Sequence, residues 1–455
     1  MFAADAVAKT SVAVVGGGWA GCAAAVALVK SGHAVTLFES TRTLGGRARG
    51  VQLDGRMLDN GQHILLGAYR DSLALMRTVG IDTDEVLLRL PLQMRYPPGS
   101  GGMDFVAPRL PAPLHMLIAL LRAAGLTRAD KMALARFSTT ARWMEWRMHN
   151  DCSVSELLER YDQTERLTKL MWRPLCLAAL NTPPERASAQ VFLNVLRDSL
   201  GARRAASDML LPRVNLTELF PQHAARFIEQ YQGQVRYSAN VGAITRNGDG
   251  WRVTLTGEQA PQLDFDCIVL ATPVAQTAAL LDGLIDSSAL GDFSYEPITT
   301  CYLRYAPELR LPLPFFALID DAAAGDWGQF VFDRGQLDAS QGGILSVVVS
   351  AASDAVAQDQ GELAQAIAAQ LAKTLRMPQL AQPLWSKVVS EKRATFACTP
   401  GLIRPANDVG LPGLAIAGDY TQSDYPATLE AAVRSGLAAA RQILEPADEE
   451  TEEQS

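Results

Sequence analysis

An α/β fold, with a parallel nucleotide-binding sheet assembled from both ends of the chain, is predicted by two segments of this sequence. Near the start, Ser11–Val15 reads as a buried strand that runs into Gly16-Gly17-Gly18-Trp19-Ala20-Gly21. Near the end, Leu414–Asp419 reads as another strand, followed by Tyr420–Tyr425 and a helical stretch, Pro426–Ala440. The long middle alternates helical and strand-like blocks that belong to neither segment. Together these predict a discontinuous Rossmann-like domain carrying an inserted α+β domain.

Gly16, Gly18 and Gly21 have the G-x-G-x-x-G spacing. The first glycine permits a tight turn, the second lets backbone approach a pyrophosphate, and the third lets a helix pack closely on the strand. Trp19 and Ala20 lie inside this turn, and the helix that follows presents free N–H groups and its positive dipole end to the phosphates. Ala20–Lys30 is rich in Ala, Val and Leu, and Ser31-Gly32 is a stop. Ala34–Phe38 is the second strand, and Glu39 at its end is placed for ribose hydroxyls. The uncharged run from Val12 to Val29 has 18 residues, a length that also suits a membrane span. Three consecutive glycines after the strand argue against one continuous helix, and no basic n-region marks a signal peptide.

The next glycines distinguish among nucleotide cofactors. In Leu44-Gly45-Gly46-Arg47-Ala48-Arg49, Gly45 and Gly46 leave backbone free for close approach, and the Arg47 guanidinium suits a phosphate. At the other end, Gly418 and Asp419 close a strand, where the carboxylate can accept from ribityl hydroxyls. The N–H groups of Ala427, Thr428 and Leu429 can face the pyrimidine edge of a flavin and stabilise charge that develops on reduction. The pair of sites points to FAD, bound without a covalent-attachment signal. The G-G-R run resembles that of the flavoprotein group of amine oxidases, protoporphyrinogen oxidases and phytoene desaturases. In that group a turn such as Asp59-Asn60-Gly61-Gln62-His63 brings its glycine, here Gly61, near the flavin ring. A β-hairpin like Gln234–Thr256 places a residue, here Val241, on the adenine side.

With 455 residues the chain can bury two cores. Its net charge of −8 is concentrated in Glu445–Ser455, which holds six acids and no base. Nothing in that balance points to nucleic-acid binding as the main task, and the segment reads as a solvated, disordered tail. The six cysteines form no C-x-x-C pair and the five histidines are scattered, so reduced thiols, a cytosolic setting and no metal site are expected.

The spacing divides the chain into a cofactor domain from residues 10–70, 205–290 and 393–442, and a substrate domain from 71–204 and 291–392, with the tail from 443. The first insertion reads as mostly helical. Leu216–Gln232 reads as one more helix, and Leu363–Leu375 as an amphipathic one. Pro297–Tyr305, Phe315–Ile319, Gly328–Phe332, Ile344–Ser350 and Trp385–Lys392 read as strands of a second sheet. Leu114–Leu121 is apolar apart from His115 and is flanked by Arg109, Arg122, Arg128 and Lys131. It is too short to span a bilayer and fits a peripheral contact on the cytoplasmic membrane face.

Three runs carry a narrower resemblance: Asp59–Tyr69 (DNGQHILLGAY), Trp172–Thr182 (WRPLCLAALNT), and Ala417–Thr421 (AGDYT) with Pro426–Gly436 (PATLEAAVRSG). They resemble the hydroxysqualene dehydroxylases, bacterial relatives of phytoene desaturases in hopanoid biosynthesis, over about residues 10–442. The resemblance implies reduced FAD, a polyprenyl alcohol (hydroxysqualene) as substrate, squalene as product, and an electron donor the sequence does not identify. His63, Tyr425 and Asp424 are the candidate proton donors. Ser423-Asp424-Tyr425 departs from the glycine and the apolar or aromatic residue expected there, so the pocket wall at that place does not transfer simply. Two other readings use the same residues: a carotenoid-type desaturase running the redox step in the opposite sense, and a non-catalytic flavin-bound lipid carrier.

Overall fold

The computed structural model describes residues 9–112, 114–257 and 261–444. Its nucleotide sheet has five parallel strands: β1 (Ser11–Val15), β2 (Ala34–Phe38), β3 (Gln234–Arg236), β4 (Cys267–Leu270) and β5 (Leu414–Ile416). They lie in the order β3-β2-β1-β4-β5, so strands far apart in the chain become neighbours. The parallel pairing is why the strands are nearly continuous apolar runs, since both faces of the sheet are covered. Val12 and Val14 of β1 enter one apolar cluster and Ala13 and Val15 the other, as the two-residue period of a strand requires.

Between β1 and β2 runs α1 (Trp19–Lys30), whose alanines and valines are almost wholly buried. Against it packs α2 (Leu429–Leu444). The two helices meet so closely that a Cβ on Gly436 would overlap the Ala20 carbonyl oxygen. Full burial of each Val or Leu in this layer is worth roughly 1.5–3 kcal/mol.

The second sheet is antiparallel, in the order Phe315–Ala317, Phe330–Asp333, Ile344–Ser350, Tyr295–Arg304, Trp385–Phe396. The helix Gln360–Leu375, capped by the Asp359 carboxylate on the N–H groups of Gly361 and Glu362, covers one face through Leu363, Ile367 and Leu371. The opposite face, with Phe315, Phe330 and Phe332, shares one apolar cluster with Trp172 and Leu193 of the helical segment. That cluster reaches Ala13, Val15 and Phe38 of the nucleotide sheet, so apolar interior runs unbroken between the two sheets.

Several boundaries differ from expectation for local reasons. Leu216–Gln232 is two helices, Leu216–Leu219 and Pro221–Gln230. Pro221 lacks an N–H and drives the preceding Phe220 out of helical geometry, to φ −151°. Gln234–Val241 is not one hairpin arm. Gln234–Arg236 leaves to pair with β2, and the hairpin begins at Val241–Asn247. The helix expected from Pro426 begins at Leu429, because the Thr428 hydroxyl accepts from the Ala431 N–H and caps it there. The helical insertion also holds short strands, Leu87–Leu90, Gln93–Arg95 and Asp104–Val106. Residues 443–444 close α2 rather than open a tail, and the acidic run from 445 lies outside the described residues.

Candidate active site

Two of the three motif glycines are required by the protein itself. Gly16 sits at φ +107°, and a Cβ there would stand 2.5 Å from the Ala271 carbonyl oxygen. A Cβ on Gly21 would overlap the Gly16 carbonyl oxygen. Gly18 differs: a Cβ there meets no protein atom within 4 Å. Gly18 is also the N-cap of α1, and no side chain caps that helix end. An uncapped helix N-terminus beside a glycine that only an outside group would need is what a pyrophosphate requires. Trp19 and Ala20 are buried, and the Trp19 indole donates to the Ala48 carbonyl at 3.2 Å while its ring packs on Phe220. Their side chains serve the fold, leaving only backbone for a cofactor.

The G-G-R loop lies against this turn. The Gly45 N–H donates to the Gly17 carbonyl at 2.8 Å, and a Cβ on Gly46 would come within 3.3 Å of the Gly18 Cα. Glu39 closes the turn from the other side. One carboxylate oxygen accepts from the Gly17 N–H at 2.9 Å and the other from the Thr41 N–H at 2.8 Å. Each oxygen has acceptor capacity left for a ribose hydroxyl.

The Arg47 guanidinium reaches across the chain. It pairs with Asp419 at 2.5 Å and donates to the Ala394 carbonyl at 2.8 Å. Asp419 raises the pKa of Arg47, so this group stays charged. The ion pair joins residues 372 positions apart and brings the two halves of the site together. Arg47, expected on a phosphate, therefore has a protein carboxylate as its partner in the structure. Asn60 fixes the loop by donating to the Arg47 carbonyl and accepting from the Arg49 N–H at 3.1 Å.

The Asp59–His63 turn is held by a buried polar network that local sequence gives no sign of. Arg334 is 1% exposed. It donates to Gln62 at 2.9 Å and to Gln341 at 2.9 Å, and lies 3.5 Å from the Asp59 carboxylate. Asp59 also accepts from the Leu216 N–H, and its carbonyl accepts from the Tyr302 hydroxyl at 2.8 Å. Burial pushes Asp59 up to about 6, against the lowering effect of Arg334. The Gln62 N–H donates to the Thr300 hydroxyl, so the turn is tied to the second sheet.

At the end of that turn, His63 Nδ1 donates to the Gly61 carbonyl at 2.8 Å, because a carbonyl can only accept. Nε2 is then the nitrogen left for another group. Burial, and the nearby charge of Arg47, lower the His63 pKa against the raising effect of the Gly61 carbonyl. The imidazole is neutral at neutral pH.

After β5, Gly418 and Asp419 lead into a loop that Arg404 holds by four backbone carbonyls, those of Asp419, Tyr420, Ser423 and Tyr425. Nothing in the sequence around Arg404 announces this. Ala427 and Thr428 precede α2 and Leu429 opens it, so their N–H groups lie at its N-terminus. Glu430, wholly buried, accepts from the N–H groups of Asp71 and Ser72 and from the Ser72 hydroxyl.

The other candidates have these surroundings in the protein. The Tyr425 hydroxyl donates to Asp198 at 2.7 Å and its ring lies under the Arg434 guanidinium, so a structural bond takes its proton. The Asp424 side chain is 74% exposed, with Arg197 at 3.9 Å, and so lacks the enclosure that a proton donor to a departing hydroxyl needs. Val241 is buried in the apolar cluster that also holds Phe38, so its side chain is core. Arg173 makes an ion pair with Asp320 at 2.6 Å, linking the helical segment to the second sheet. Among the described residues no group of three or more metal-ligating side chains exists.

The model of the flavin containing amine oxidoreductase family matches residues 19–444. The chain belongs to this family. It is 28% identical to the hydroxysqualene dehydroxylase of Rhodopseudomonas palustris, over 95% of this chain and 98% of the relative. It is 24% identical to the 15-cis-phytoene desaturase of Glycine max, over 95% of this chain and 80% of that one. Its fold is similar to that of cyclohexylamine oxidase from Brevibacterium oxydans, with a TM-score of 0.66 and 18% identity, over 96% and 98% of the two chains. The protein is an FAD-dependent oxidoreductase. The open space at Gly18, the uncapped start of α1 and the spare acceptor capacity of Glu39 are compatible with that cofactor.

Proposed function

We propose that the protein removes the hydroxyl group of hydroxysqualene, giving squalene and water. The observation that carries this reading is similarity over nearly the whole length to a hydroxysqualene dehydroxylase. The apolar cluster that joins the two sheets supplies side chains of the kind that would line a polyprenyl site. In this reading residues 10–70, 205–290 and 393–442 carry the cofactor and residues 71–204 and 291–392 carry the lipid.

The reaction balances as an allylic alcohol plus a proton plus a hydride. The C–O bond breaks, oxygen leaves as water, and a C–H bond forms at the same carbon. FAD, when reduced and bound, supplies the hydride. The chain must hold the reacting carbon in place, exclude water and deliver the proton. His63 is the group assigned to the proton. With Nδ1 committed to Gly61, only Nε2 meets a hydroxyl, and it donates only as imidazolium. The lowered pKa makes that imidazolium scarcer and a stronger acid, the usual compromise in general-acid catalysis.

The test is product analysis under anaerobic conditions. Chemically reduced protein mixed with hydroxysqualene should yield squalene, and in D2O the carbon that lost oxygen should carry deuterium. Squalene without the label rejects direct hydride transfer. The relatives named phytoene desaturase support a second reading, in which oxidised protein introduces a double bond into a polyprene. A desaturated product from oxidised protein, with hydroxysqualene left untouched, would establish that reading instead. Leu114–Leu121 meets the membrane from which such a lipid is drawn. No helix among the described residues is long and apolar enough to cross one.

A further inference from the structure

Beside the segment that leads into the helix Leu114–Arg122 lies a cavity of about 290 Å³ lined by Arg89, Leu90, Pro91, Arg109, Arg204 and Asp208. The buried Asp208 carboxylate holds Arg204 at 3.0 Å and Arg89 at 3.2 Å. One fixed anion thus orients two guanidinium groups that both remain partly open to solvent. Arg109, the third, is exposed and has no ion pair among the described residues. Three guanidinium groups meet a single carboxylate, so the cavity is cationic. Its planar donor forks match the oxygens of a phosphate.

The neighbouring helix adds an apolar face to the cationic cavity. It buries His115 and Ala119 and turns Leu114, Leu117 and Leu121 outward, at 50%, 51% and 63% exposure. The helix starts five residues after Arg109, which lines the cavity, and the His115 N–H donates to the Pro111 carbonyl of the connecting segment, so the leucine-bearing helix adjoins the cationic cavity. The helix is roughly 14 Å long at 1.5 Å per residue, less than half of a bilayer core. An apolar stripe this short, joined to a cationic cavity with room for a phosphate and its substituents, has the chemistry of a lipid surface rather than of a free anion.

We propose that Arg89, Arg109 and Arg204 hold the phosphate of an anionic phospholipid headgroup while Leu114, Leu117 and Leu121 enter the adjoining acyl layer. The proposal rests on the membrane contact in the reading above and gives it a defined site and orientation. Arg109 is the residue to vary, because it is exposed and unpaired and its loss leaves Asp208 with both partners.

Flotation of the full-length holoprotein is measured with phosphatidylglycerol–phosphatidylcholine vesicles at fixed ionic strength. Arg109→Gln should weaken partitioning about five-fold, the equivalent of about 1 kcal/mol per basic residue at an anionic surface. Arg109→Lys, which keeps the charge and loses the fork, should recover less than half of that loss. Full recovery by Arg109→Lys would mean diffuse attraction only and would overturn the headgroup site while leaving the membrane contact standing. A wild-type protein that fails to float, or flotation unchanged by Leu117→Glu with Leu121→Glu, would remove the membrane contact and the site with it. Inorganic phosphate bound by calorimetry without flotation would assign the cavity to a free phosphate and overturn the lipid.

Discussion

Gly18 and Gly16 share one motif but have different reasons to be glycine. Gly16→Val would force a side chain against the Ala271 carbonyl at positive φ, so it should damage folding itself. Gly18→Val meets only open space in the protein. It should fold with a melting temperature near that of the apoprotein and lose flavin absorbance. Retention of full flavin absorbance by purified Gly18→Val would show that no pyrophosphate passes there. His63 is tested by pH. Its folded-state pKa lies below the ordinary histidine value of 6.5, so between the two the unfolded chain binds a proton that the folded chain does not. The stability this gives is present above pH 6.5 and is lost as pH falls through the folded value. Urea midpoints at about pH 7.5 and about pH 5.5 should therefore fall further for wild type than for His63→Gln. Equal falls would mean that His63 titrates normally. His63→Ala should also slow turnover by roughly 10²–10⁴-fold with FAD still bound, the scale of a lost general acid.

At the level of elements, the turn Asp59–His63 and the second sheet act as a unit through Arg334. Arg334→Met would leave the buried Asp59 carboxylate without its counter-charge and Gln62 with only the Ser346 hydroxyl as donor to its side-chain oxygen. Breaking a buried pair from one side costs roughly 3–5 kcal/mol. The double variant with Asp59→Asn should regain part of that, because a side-chain amide at this position can still accept from the Leu216 N–H and carries no charge. Denaturant midpoints of the two variants decide this, and a loss below about 1 kcal/mol for Arg334→Met would mean that the network carries little. The turn was legible in the sequence, since Gly61 and His63 sit in a recognisable run. Its support was not, because Arg334, Gln341 and Tyr302 belong to another part of the chain and no local spacing links them to Asp59. The same holds for Arg404, whose four carbonyl partners come together only when the loop after β5 folds back.

For the whole molecule, the cofactor groove is where the chain closes on itself. β1 and β5 are both neighbours of β4, and Arg47 meets Asp419 across the join. A ligand bound by both ends stabilises only the state in which both ends are assembled. Removing FAD should therefore lower global stability, by about 2.7 kcal/mol relative to protein held at a hundred times its dissociation constant. Thermal melts of apo and FAD-saturated protein measure it, and identical melting temperatures would mean that the groove does not couple the two ends.

The sequence by itself determined the strands on either side of the glycine turn, α1, the G-G-R loop and the Gly418-Asp419 segment. These depend on short-range causes: apolar runs, glycines where backbone must turn or approach closely, and a helix N-terminus left uncapped. Only the tertiary structure decided that Gly18 faces open space while Gly16 and Gly21 face the protein. It also decided that Tyr425 bonds Asp198 and that Asp424 lies at the surface. The reason is the same in each case. A residue's partners in space are set by which distant strands become neighbours, and a change of partner alters what a carboxylate, a hydroxyl or an imidazole can do without altering one letter of the sequence around it.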